Sequence, residues 1–149
     1  GQEEFCQTLS RLCADVLETC VDFVAAADGR GAQSGEALEA LKLAVLCTAH
    51  PDAAVAEPPL QMWARLADIP AQGRPAHLRT PLFARVFEAI VARCTYPAGA
   101  GARVPGINDP IADEAFQAYR RVHAPDALVM CHAESPGAVE LFLQLGAPY

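Results

Sequence analysis

The sequence predicts an all-α protein, a stack of about three helix pairs in the manner of an α-solenoid. Three observations carry the prediction. Apolar residues recur at steps of three and four in six segments, and no segment sustains a period-two alternation. Bends rich in glycine and proline separate those segments. The chain is 52% hydrophobic and only 19% charged, where ordinary domains carry about 25% charged residues. It therefore has more apolar surface than one layer of helices hides, and each helix pair needs a neighbouring face.

The first helix is expected over residues 3–27, with Phe5, Leu9, Leu12, Val16, Cys20 and Phe23 on its inward stripe. "DGRGAQSG" (28–35) ends it as a loop. A second helix over 36–49 carries Leu38, Leu41, Leu43, Val45, Leu46 and Cys47 round most of its circumference, so it is expected to be covered on more than one side. His50 precedes Pro51, which disfavours helix at 50, and Asp52 is the natural N-cap for the next helix.

Pro58-Pro59 removes two backbone donors and is expected to push Glu57 out of helical geometry. Two solutions are open. Either a turn from Ala53 to Glu57 kinks into a helix ending at Asp68, or the main helix starts with proline at its first position. In both, Leu60, Trp63 and Leu66 or Ala67 share one face, and Trp63 is a core residue.

Residues 69–80 read as a flexible loop. The cleanest amphipathic helix spans 81–94, with Leu82, Phe83, Val86, Phe87, Ile90, Val91 and Cys94 in one stripe. The Gly/Pro/Ala stretch 96–110 is a second, longer flexible loop, well beyond the usual length of about 4–6 residues. A fifth helix starts near Ile111, with Phe116, Tyr119 and Val122 inward; Pro125 stops or kinks it near His123, and helix resumes over 126–134. Ser135-Pro136 opens the last segment as N-cap and first-turn proline, with Val139, Leu141, Phe142 and Leu145 on its apolar side.

The net charge of −7 disfavours nucleic acid and favours basic partners wherever the acids cluster; it also keeps a greasy chain in solution. No apolar run reaches the roughly 18 residues that a membrane span needs. No signal peptide is visible, and a chain opening on Gly1 rather than methionine reads as an excerpt of a longer protein. Cys6, Cys13 and Cys20 recur every seven residues and so share one helix face without bridging one another. Cys47, Cys94 and Cys131 lie in apolar runs and there is no C-x-x-C pair, the pattern of reduced, mostly buried cysteine in an intracellular protein.

Catalytic, cofactor and metal residues are not nominated. Cys47-x-x-His50 is half a zinc site, and Cys131-His132, His77 and His123 do not supply the other half at regular spacing. Each cysteine sits on an apolar stripe that disfavours a thiolate nucleophile. "GAGARVPG" lacks the lysine and hydroxyl of a phosphate loop, and Asp113-Glu114 are first-turn helix charges rather than an acid–base pair.

"LKLAVLCTAHPDAAVAEPPLQMWARLAD" (41–68) resembles a HEAT repeat of the importin-β family, in its transportin-SR branch. The matching elements are His50-Pro51-Asp52, Val55, Ala56-Glu57, Trp63 and Arg65-Leu66. The similarity continues in "FARVFEAIVARCTYP" (83–97) and, more weakly, in "DEAFQAYRRV" (113–122). Pro58-Pro59, the 96–110 stretch and Pro125 depart from the family pattern. The resemblance implies that residues 1–149 are one HEAT-repeat segment of a larger superhelix, part of a nuclear transport receptor and not an enzyme. It implies Ran in its GTP form, a basic or arginine/serine-rich cargo protein and Phe-Gly nucleoporins as partners, no direct nucleic acid or membrane contact, and shuttling between nucleus and cytoplasm. The matched positions are packing positions, so the binding residues stay unassigned. A HEAT-repeat scaffold without Ran binding is the other reading.

Overall fold

The computed structural model describes residues 1–95 and 113–144. Nine α-helical segments lie among them: α1 (Gln2–Thr19), α2 (Val21–Ala25), α3 (Ala32–Thr48), α4 (Ala53–Ala56), α5 (Pro58–Asp68), α6 (Thr80–Cys94), α7 (Glu114–Ala118), α8 (Ala124–Glu134) and α9 (Pro136–Gln144). No strand occurs among the described residues, so the all-α expectation holds. The expected loop at 96–110 and the start at Ile111 lie outside them.

The helices contact one another in two rows. In one, α1 touches α5 and α5 touches α8; in the other, α3 touches α6 and α6 touches α9. Contacts of α1 and α5 with α3, and of α8 with α6 and α9, join the rows. The core runs between them, through Leu17, Leu41, Met62, Trp63, Leu66, Phe83, Val86, Ile90 and Tyr119. Helix α3 is covered from three directions, by α1, α5 and α6, as its nearly all-round apolar pattern predicts. Leu46 alone of its predicted apolar set turns to solvent.

The expected helix over 3–27 is two segments, α1 and α2, broken at Cys20 (φ −102°, ψ 24°), and its inward stripe is not the predicted one. Phe5, Leu12, Val16 and Phe23 are 51–65% exposed, and Cys20 is exposed. The buried line is Ser10, Ala14 and Leu17, continued by Val21 and Val24 in α2. Periodicity finds an apolar stripe, but α1 has two. The small side chains of Ser10 and Ala14 let its backbone come close to α5, so that side packs and the bulkier one stays outside.

The bend before α5 combines both solutions that the sequence allows. Asp52 caps α4, accepting from Ala54 N at 2.9 Å, and α5 starts with Pro58. Glu57 nevertheless keeps helical backbone angles (φ −72°, ψ −46°), against expectation. The chain turns without leaving helical space because only the amides are lost. Proline at 59 cannot donate to the carbonyl of Val55, four residues back. The Ser10 hydroxyl, fully buried, donates to that carbonyl at 2.7 Å instead. A serine 45 positions away thus replaces the amide that proline lacks. The bend brings Leu60, Trp63 and Leu66 inward, and the Trp63 indole N–H donates to Thr48 Oγ1 at 2.9 Å. Thr48 in turn donates to Ala44 O, so both polar groups are satisfied in the core.

Residues 69–80 contain two 3-10 turns, 71–73 and 76–78, on either side of Arg74. That arginine is buried. It donates to Ile69 O and Leu78 O, pairs with Glu134 Oε2 at 2.8 Å, and lies over the Phe83 ring. Further along, Pro125 does not end its helix. A π turn over 119–123 links α7 to α8. Its wider winding inserts one residue into the helical count, and proline then falls in the first turn of α8, where its missing amide costs little. The inserted residue also rotates the helix beyond it. Phe116 and Tyr119 point inward as predicted, but Val122 is 63% exposed, and Ala124, Ala127 and Cys131 take the inner side.

The loop after α2 is shorter than the expected 28–35: α3 begins at Ala32, Gly35 is helical, and the positive φ angles fall on Gly29 (83°) and Gly31 (79°). Ser135 is buried, but its hydroxyl makes no capping hydrogen bond among the described residues.

Candidate functional site

The described residues that could carry catalysis are dispersed. Cys47 lies in the core, while the ring nitrogen Nδ1 of His50 accepts from the Asp52 amide at 3.0 Å. His77 Nε2 meets the carbonyl of Ala27 at 3.1 Å, and His132 is exposed on α8. Asp113 is the N-cap of α7, its carboxylate accepting from the Phe116 amide at 2.8 Å. Among the described residues no three His, Cys, Asp or Glu side chains gather as metal ligands do. No described helix is long and apolar enough to cross a membrane.

All six cysteines are free. Two are buried, Cys47 and Cys131, three are half-buried, and Cys20 is exposed, so burial is less general than their stripe positions suggest. Burial pushes the thiols of Cys13, Cys47 and Cys94 up from 9.0, and that of Cys131 to about 12. A thiol held protonated is a poor nucleophile, so these four are packing residues.

An open groove of about 640 Å³ runs along the α1–α5–α8 row. Arg11 stands on the α1 side, Glu57 and Gln61 on the α5 side, and His123 and Asp126 on the α8 side. Leu60, Ala127 and Met130 lie between them. Glu57 Oε1 is 3.4 Å from His123 Nε2, an ion pair only while the imidazole is protonated. The α4–α5 bend places Glu57 at the groove, and the π turn places His123 opposite it. Among the described residues that line it, no nucleophile stands beside a base. The arrangement offers what a peptide or protein surface needs: an apolar floor with charges of both signs at its edges.

No protein-family model, curated protein or solved structure matches this chain. Sequence reasoning did not find the groove. Its charged residues lie on three separate helical segments, and their approach depends on a bend and a π turn whose geometry no local motif announces. The Arg74–Glu134 pair was likewise missed, because its members are 60 residues apart.

Proposed function

We propose that this chain works by binding other proteins, as a segment of a helical-repeat nuclear transport receptor. The observation that supports this reading best is the arrangement of helices in two rows that contact in chain order, with α1, α5 and α8 in one row and α3, α6 and α9 in the other. Such rows give each helix pair contacts mainly with its neighbours and leave long outer surfaces free for partners. The chemistry of the groove agrees, being open and lined by apolar side chains with charges of both signs. The importin-β-like pattern through His50-Pro51-Asp52, Trp63 and Arg65-Leu66 supplies the rest of the reading: GTP-bound Ran, a basic or arginine/serine-rich cargo and Phe-Gly nucleoporins as partners, and shuttling between nucleus and cytoplasm.

The test is a pull-down of the intact protein with GTP-loaded Ran, with and without an arginine/serine-rich peptide. Binding of both, with Ran changing peptide affinity by about 5–150-fold, is the expected result. Peptide affinity should fall as salt rises. Absence of Ran binding at low salt would leave the second reading, a repeat scaffold that holds a complex together.

A further inference from the structure

The geometry points to the outer face of α1 as a docking site for one amphipathic helix of a partner protein, basic along one edge. This inference stands apart from the transport reading, since it needs neither Ran nor cargo.

The face begins with the residues that the fold leaves outside. Phe5, Leu12, Val16 and Phe23 are 65%, 59%, 51% and 51% exposed. Half-buried Leu9 and the exposed Thr19 fall between them. Thr19 spends its hydroxyl on Asp15 O at 2.7 Å. The series 5, 9, 12, 16, 19, 23 alternates steps of four and three. That spacing is the seam along which one helix packs on another, and it is poorly matched to a strand partner, whose side chains repeat every second residue. From Phe5 to Thr19 the line runs about 21 Å at helical rise along α1, enough for a partner helix of about four turns, and Phe23 continues it in α2, past the break at Cys20. It lies on the opposite side of α1 from Ser10, Ala14 and Leu17, which face the core.

The two borders of the seam differ, and the difference selects the partner. On one side stand four carboxylates, Glu4, Asp15, Glu18 and Asp22, with Arg11 among them; Glu4 is paired with the amino group of Gly1 at 3.0 Å. Asp15 and Asp22 are exposed and make no ion pair among the described residues. On the other side stand Cys6, Cys13 and Cys20, without charge. A helix with Lys or Arg beside its apolar line meets the acidic border and is oriented by it, while an acidic helix is repelled. The same border works against an anionic membrane surface.

The test uses the full chain and two synthetic 21-residue helical peptides with the same Leu/Ile seam at alternating steps of four and three. One carries Lys along one edge and the other carries Glu. By fluorescence anisotropy the Lys peptide should bind at least tenfold more tightly, with the advantage shrinking at 500 mM salt. Leu12→Asn with Val16→Asn should weaken it at least tenfold at unchanged melting temperature, because both side chains are already exposed. Asp15→Lys with Asp22→Lys should reverse the preference between the peptides, and Leu46→Asn on α3 should change nothing. Equal binding of both peptides, or an equal loss with Leu46→Asn, would overturn the inference. So would a drop in melting temperature for the Leu12/Val16 variant. Sedimentation showing self-association abolished by Leu12→Asn would assign the face to a second copy of the chain. Binding to phosphatidylserine vesicles that depends on Leu12 would assign it to a membrane. Either of these outcomes also overturns the inference.

Discussion

Ser10→Ala tests the account of the proline bend. The hydroxyl of Ser10 donates to the carbonyl of Val55 at 2.7 Å, where proline at 59 supplies no amide, and both Ser10 and Val55 are buried. Alanine removes one oxygen and opens almost no cavity, so the effect is nearly all polar. A buried carbonyl left without a donor costs about 1–3 kcal/mol. For a chain of 149 residues a loss near 2 kcal/mol lowers the melting temperature by about 4–8 °C. The decisive measurement is a double-mutant cycle with Pro59→Ala, followed by urea denaturation. Alanine at 59 returns an amide four residues after Val55, so in that background Ser10→Ala should cost under about 0.5 kcal/mol, a coupling of roughly 1–2 kcal/mol. The stability change of Pro59→Ala itself, which mixes restored hydrogen bonding with lost packing of a buried ring, cancels in the cycle. Equal costs of Ser10→Ala in both backgrounds would refute the idea that the serine replaces the missing amide.

Three further outcomes are expected. Glu134→Ala strands the buried Arg74 guanidinium, whose remaining acceptors are Ile69 O and Leu78 O; it should destabilise by about 3 kcal/mol in chemical denaturation, and a change under 1 kcal/mol would mean that the pair is not buried in solution. Tyr119→Phe removes a buried hydroxyl that has no hydrogen-bond partner among the described residues, so stability should stay level or rise by up to about 1 kcal/mol, and a loss of that size would show that the hydroxyl is paired. In the native chain a thiol reagent should modify Cys20 first and Cys131 last. Burial, with Glu134 nearby as a smaller cause, raises the Cys131 thiol from 9.0 to about 12. The folded form thus keeps a proton that the unfolded chain releases, and stability present below pH 9 is lost as pH climbs toward 12. Cys131→Ala should flatten that alkaline decline, and an unchanged decline would count against the assignment.

The helices themselves were legible in the sequence. Local patterns gave several of their features: Asp52 as a cap, Pro58 in a first turn, and the stripe of α6 from Leu82 to Ile90, whereas Asp113, expected as a first-turn charge, is the N-cap of α7, and the expected helix 3–27 is broken at Cys20. Trp63 was legible as core for the same reason, lying between Leu60 and Leu66 on one face. Which face of α1 turns inward was not, because it carries two apolar lines and the choice rests on close approach to α5, a contact made far along the chain. The outward turn of Val122 was hidden in the same way. A π turn shifts the helical count by one residue, and Pro125 announces a break near His123 without saying that it takes this form. The groove between Glu57 and His123 and the Arg74–Glu134 pair depend on both bends together. Hydrophobic periodicity is a property of consecutive residues, and so the sequence alone determined the helices. Burial and charge pairing are properties of the space between helices, and only the tertiary structure decided those.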